Sequence, residues 1–290
     1  MAGPNVWLGG TSVVYTLDAN WDTGTAPVNG DSPIFNHQAQ RGCLTACDAG
    51  SNGHTYPKVV VTSGYKYGLG ASGDAFDPTA FTKLYWSSGF AGTSYLKGSI
   101  TDGTFEAPEA GAGMVEISGV MDHVALNGGA VHLVNGADLN AGTDDLFVMT
   151  ESRGVPSRLT IDAAATLTTS KIAMNGGQLV TLASPVTLDV NGGVAILRGT
   201  AAVTMLNIDG DGIVDWDSTG AIAMAHVRGN GLLRSIQYTR AKTIAEAHMY
   251  GNARVDLRGR GGYLLTLTNG IYVHGANSPL FPPGTIVSAA

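Results

Sequence analysis

Between residues 171 and 266 glycine recurs at a slowly widening interval, and no other feature restricts the fold as strongly. Aligning KIAMNGGQLV, LDVNGGVAIL, LNIDGDGIVDW, AHVRGNGLLRS and AHMYGNARVDL places Met174, Val190, Ile208, Val227 and Met249 in one column. Gly176, Gly192, Gly210, Gly229 and Gly251 fall in a second column, at spacings of 16, 18, 19 and 22 residues. Such spacings are too short for a helix-pair repeat and fit one turn of a β-solenoid. Ile196, Val214, Leu233 and Val255 each stand four residues beyond one of the last four glycines. They are the expected apolar residues of the next strand.

A helix does not fit these segments. Leu188 and Val190 flank Asp189 with period two, and no stretch keeps a 3.6-residue period for three turns. Paired glycines would destabilise a helix interior by about 1 kcal/mol each, whereas at a corner glycine supplies a positive φ that other residues resist. The expectation is an all-β chain: a right-handed parallel β-helix with an N-terminal capping or base region. Its coils would stack roughly 4.8 Å apart over a continuous Leu, Ile, Val, Met and Ala interior. The widening period predicts coils that grow toward the C-terminus.

Four segments follow from this reading. Residues 1–58 form a cap or base, 59–125 irregular early coils, 126–275 the regular β-helix and 276–290 an extended proline-rich arm. An open solenoid end exposes unpaired strand edges and a greasy core. Trp7, Trp21, Pro27 and Phe35 are placed to cover that end or to anchor the chain on a partner. APEAGAG, residues 107–113, is expected to leave the stack, and 143–158 to protrude as a loop. Prolines in SPLFPPGTIVSAA cannot donate ladder hydrogen bonds, so the tail should leave the sheet.

Composition narrows the class of partner. The 290 residues carry only 13% charged side chains and a net charge of -7, which leaves no basic footprint for nucleic acid or an anionic membrane. MAGPNVWLGG lacks the features of a secretory signal, and no run approaches the roughly 20 apolar residues of a membrane span. Synthesis in the cytoplasm is the expectation. Cys43 and Cys47 are the only cysteines; without a second pair or matching histidines they read as two reduced thiols rather than half a zinc site.

Paired carboxylates on one face would mark a β-helix that cleaves polysaccharides. The densest acidic run is DGDGIVDWD, with Asp209, Asp211, Asp215 and Asp217. It departs from a calcium loop: Ile213 stands where an oxygen donor is needed and no closing glutamate follows. Asp215 aligns with Arg234 and Asp256 on successive coils, the alternation of a structural charge ladder. His226 and His248 share an outward column with Asp189 and Asn207. No carboxylate or third ligand is expected beside them, so they read as solvated ladder residues. His37, His54, His123, His132 and His274 show no readable spacing. No catalytic residues, metal or cofactor are assigned.

The WLGG...ANWDTGTAPVNGD opening, the KVVVTSGYKYGLG strand and the closing coils STGAIAMAHVRGNGLLRS, TRAKTIAEAHMYGNARVDL and TLTNGIYV together resemble a group of phage and prophage β-helix virion proteins. The N-terminal match falls on Trp7, Trp21, Pro27 and Asp31. What the resemblance implies is a capsid decoration or cement knob on the outer surface of the virion, a homotrimer bound to the major capsid protein, with no enzymatic activity. The alternative is a tail fibre or spike component that binds or degrades surface glycans, with Tyr65, Tyr67, Tyr85, Trp86 and Tyr95 as its aromatic platform. A bacterial surface adhesin would need an export signal.

Overall fold

The computed structural model describes residues 3–109, 111–139, 146–152, 154–167, 170–235, 241–258, 265–275 and 278–280. The chain is 55% strand and 3% helix, its parallel strands stacked as a β-solenoid. One inward column threads the whole of it. Trp7, Phe35, Val61, Trp86, Phe105, Leu126, Met149, Met174, Val190, Ile208, Val227 and Met249 each pair in register with the next, and Met249 pairs with Val273. All but Val273 are buried. Removing each such side chain from water contributes about 1.5–3 kcal/mol, which is why period-two alternation fixes the register.

A second inward column begins at Val115 and runs through Val131, Leu159, Leu179, Ala195, Val214 and Leu233 to Val255. Here the sequence alignment needs correction. Ala195, not Ile196, faces inward; Ile196 pairs with Asp215 on the outward side. The reason is corner length. Three residues, 175–177 and 191–193, separate the two strands in the earlier coils, and four, 209–212 and 228–231, in the later ones. Part of the widening period is therefore a longer corner.

The corner glycines shift with it. Gly177 and Gly193, rather than Gly176 and Gly192, hold the left-handed conformation, with φ of 82° and 80°. From Gly210 onward the aligned glycine itself has positive φ.

The expected cap is itself built on the solenoid. Pro4–Trp7 pairs parallel with Ser32–Phe35, and that strand with Val59–Val61. Between them the chain makes irregular loops and the short helix Cys47–Ser51. The 143–158 expectation fails: Leu146–Thr150 pairs with Met121–Asn127 and with Lys171–Thr181, and Ser157–Ile161 also lies in the stack. Residues 143–145 lie outside the described residues. Residues 107–109 and 111–113 do connect two strands without joining the sheet. Leu280, expected off the sheet, forms a parallel bridge with Asp256, its N–H donating to the Val255 carbonyl at 2.9 Å. The rest of the proline-bearing arm, 281–290, lies outside the described residues.

Candidate functional site

Outward positions on this solenoid stack as strictly as inward ones, so residue type along an outward column decides what surface forms. One such column reads Ala173, Asp189, Asn207, His226, His248 and Tyr272. Two residues on, Tyr250 pairs with His274. A ladder of rings results. His226 and His248 centroids lie 5.4 Å apart; His248 stacks on Tyr272 at 4.9 Å and Tyr250 on His274 at 4.5 Å, the latter planes 9° apart. The Arg228 guanidinium sits 5.8 Å from the Tyr250 ring centre, where cation and ring quadrupole attract.

Hydrogen bonds lock the ladder to the coils below. Lys171 Nζ lies 2.7 Å from Asp189 Oδ2, and Asn207 Nδ2 donates to Asp189 Oδ1 at 2.7 Å. That bond turns the Asn207 oxygen toward His226 Nδ1, 3.2 Å away, so Nδ1 carries the hydrogen. His248 Nε2 donates to Glu246 Oε1 at 2.7 Å, and its Nδ1 lies 3.1 Å from His274 Nε2. Asn269 Nδ2 holds the other Glu246 oxygen at 3.3 Å. Burial, then Arg228 and His248, lower the His226 pKa below the ordinary imidazole value. Bonds from His248 and Asn269 hold the Glu246 carboxyl below its usual range.

The histidine column was legible; its partners were not. Glu246 is the carboxylate that spacing did not place beside His248, and His274, scattered in sequence, comes to meet it. Among the described residues no group of three or more His, Cys, Asp or Glu is arranged to hold a metal ion.

The expected charge ladder forms in part. Asp215, Arg234 and Asp256 are in register, and Arg234 holds the nearly buried Asp215 with two bonds, Nε at 2.5 Å and Nη2 at 3.2 Å. The bond it donates to Asp215 raises the Arg234 pKa. Asp256 instead takes Arg258, 2.7 Å away, which lowers its own pKa. Asp209 faces Arg228 at 3.7 Å and Asp211 accepts from Asn230 at 3.0 Å. DGDGIVDWD thus serves stacking contacts along the coils.

Trp7, Trp21, Pro27 and Phe35, the residues expected at a partner interface, are buried within the chain itself. Rings so buried fill the end of the core, and the surface left around them is that of the neighbouring loops. Trp7 and Trp21 meet edge to face at 5.1 Å, and Trp21 meets Phe35 at 5.9 Å. Their indole N–H groups donate to the Arg41 and Tyr15 carbonyls at 2.9 and 2.8 Å. The hydroxyls of Tyr15 and Tyr56 share a hydrogen bond of 2.8 Å. Aromatic bulk with every polar tip paired closes this end of the core.

The tyrosine platform does not assemble. Tyr65 and Trp86 point inward, whereas Tyr67 and Tyr85 are exposed, with Lys58 Nζ 5.0 Å from the Tyr85 ring centre. Cys43 and Cys47 are fully buried free thiols with their sulfurs 3.5 Å apart.

One core residue escaped the sequence reading altogether. Lys242 is buried, its Nζ donating to the Trp216 and Ser218 carbonyls at 2.8 and 2.9 Å and lying 4.5 Å from the Trp216 ring centre. A lysine that opens a strand also carrying Glu246 and His248 gives no such signal before register is known.

The fold and these clusters define a parallel β-solenoid with an aromatic plug at one end and a ring ladder at the other. No family model, curated protein or solved structure matches the chain.

Proposed function

We propose that this chain is a non-enzymatic structural protein of a phage virion, a decoration or cement protein that binds the outer surface of the capsid as a homotrimer. The observation that carries this reading is where apolar surface lies. Exposed large hydrophobic residues are Leu17, Val28, Tyr67 and Tyr85 toward one end and Tyr272, Val273 and Leu280 toward the other. Among the described residues none falls between Tyr85 and Tyr272. A stiff rod whose sides are inert and whose ends are sticky suits bridging and projection. Bridging strengthens a shell because each added contact must break before neighbouring subunits separate. The resemblance of the opening and closing segments to virion β-helices supports the placement on a capsid, whose major protein is then the partner.

Quantitative co-sedimentation with capsids lacking the protein tests this. Saturation at a fixed high copy number per shell is expected. Failure to bind, or a few copies confined to one vertex, overturns it. Light scattering on the isolated protein tests the trimer.

One observation favours a second reading, a tail fibre or spike component that binds surface glycans. The Tyr272 ring, 45% exposed, ends the stacked ladder on a rigid support, a surface on which a sugar ring can pack. Glycan-array binding without capsid binding would select it.

A further inference from the structure

Two imidazoles in direct nitrogen-to-nitrogen contact constrain where protons can sit. His248 Nδ1 and His274 Nε2 are 3.1 Å apart, so one must donate and the other accept. A carboxylate accepts only, so the 2.7 Å contact with Glu246 Oε1 places a hydrogen on His248 Nε2. In the neutral ring Nδ1 is then bare and accepts from His274 Nε2–H. One further proton, taken from solvent, leaves a hydrogen between the facing nitrogens whichever ring it joins. A second does not. With both rings cationic each facing nitrogen carries a hydrogen, the bond is lost and two positive charges abut.

These two residues join the last coil to the one beneath it. His248 lies on Lys242–Tyr250 and His274 ends Leu265–His274, the terminal strand of the described stack. The strand pairs along Lys242–Tyr250, but its apolar side chains are less completely covered than in earlier coils. Leu265 and Leu267 are buried and Ile271 packs partly buried against the core, whereas Tyr272 and Val273 are about half exposed, although Val273 continues a column buried at every earlier position. The ring contacts and the imidazole bond therefore carry an unusual share of its docking.

We propose that the His248–His274 pair is a proton-operated latch that keeps the terminal coil docked near neutral pH and releases it on acidification. The charged and titratable groups around the pair reinforce this sign. On the coil below, Arg228 is positive throughout and His226 adds positive charge as the medium acidifies. Asp209 is engaged by Arg228, Asp189 by Lys171 and Asn207, and Glu246 alone faces the pair with negative charge. Tyr250 and Tyr272 contribute stacking faces. The lowered pKa of His226 acts in the same direction: a histidine favoured neutral in the folded state loses stability as pH falls below its unfolded value of about 6.5. Glu246, held below its usual range, adds its loss only at lower pH, below about 4.5.

Hydrogen exchange across residues 265–275 tests the latch, corrected for intrinsic rates and referenced to Thr187–Gly199. Protection of the terminal strand should fall about tenfold or more between about pH 7.5 and pH 5, and recover on neutralisation. In a His274→Gln variant the side-chain amide can still donate to His248 Nδ1 but does not titrate, and the pH dependence should largely vanish. Equal protection of the wild type at both pH values overturns the proposal, as does an unchanged acid response in the variant. If the variant fails to dock even at neutral pH, imidazole 15N shifts of the wild-type protein decide. Loss of protection that tracks the double protonation of His248 and His274 upholds the latch. A strand that stays protected with both rings cationic, or that releases before both are charged, refutes it.

Discussion

Adjacent glycines in the NGG corners are predicted to differ sharply in what they tolerate. Gly193 sits at φ 80°, and a Cβ built there would lie 2.3 Å from the Gly177 carbonyl oxygen of the coil below. Ordinary contact begins near 3.4 Å, so about 1.1 Å must be found by moving backbone. The left-handed conformation costs an alanine about 1–2 kcal/mol. Displacing the Gly177 carbonyl strains the adjoining rung, where Gln178 pairs with Val194, and losing one such backbone hydrogen bond adds about 1 kcal/mol. Gly193→Ala should therefore cost about 2–3 kcal/mol in all. Gly192 has no positive φ, and the nearest atom to its added Cβ would be the Asn175 oxygen at 3.3 Å, a few tenths of an ångström to relieve, so Gly192→Ala should stay within about 0.5 kcal/mol of the wild type. Urea unfolding followed by both far-UV circular dichroism and tryptophan fluorescence measures the two variants side by side. Variants of equal stability would refute the assignment of the corner strain to the second glycine.

Arg234→Ala should cost about 2 kcal/mol in the same assay, because it strands the nearly buried Asp215 carboxylate, whereas Arg258→Ala removes only an exposed partner of Asp256 and should cost less. An equal loss from both would contradict the difference in burial. Neither Cys43 nor Cys47 should react with a thiol reagent in the native protein, since both are fully buried and burial pushes the Cys43 thiol further up; two thiols should appear on unfolding. Ultraviolet titration should find Tyr56 ionising at about 12, with Tyr15 and Tyr65 held up by burial as well. An unfolded tyrosine loses its proton near pH 10, so folding stability should decline as pH rises above about 10; a flat alkaline profile would contradict that linkage. Removing the ring ladder's outermost member, Tyr272→Ala, should lower exchange protection in Leu265–His274 without shifting unfolding of the earlier coils.

The fold was legible because inward columns repeat residue class as well as spacing. Met174, Val190, Ile208, Val227 and Met249 stack as aligned, and Asp215 does meet Arg234. Earlier members of the same column hid themselves. Trp7 stands 28 residues from Phe35, Phe35 26 from Val61 and Val61 25 from Trp86, intervals longer than those of the glycine repeat and marked by no shared corner motif. Their bulk reads equally as cover for an open end or as an anchor, and at the end of a solenoid large rings can fill an interior that no further coil closes. Ile196 misled for a simpler reason: its glycine corner is one residue shorter than the next, and in a strand one residue exchanges the two faces.

The same arithmetic explains why the ring ladder could not be read beforehand. His226 and His248 align because nothing intervenes between their coils but a longer turn. Between Lys242–Tyr250 and the terminal strand the register slips: Ile244 pairs with Leu267, but Glu246, two residues on, pairs with Gly270, three residues on. That extra residue carries Tyr272 and His274 one place beyond where the repeat would look for them, opposite His248 and Tyr250. Without the slip, Tyr272 and His274 would fall in the inward-facing register and Val273 would turn outward. The irregularity therefore sets the rings on the surface and brings His274 against His248. Deleting Thr268, within the slipped stretch, takes out the extra residue while leaving Glu246 opposite Gly270 and His248 opposite Tyr272, so the imidazole contact should survive, read as retained linked protonation of His248 and His274 by 15N shifts. Loss of that linkage in the deletion variant would mean that the local shape of the slip, and not the register beyond it, positions the last coil.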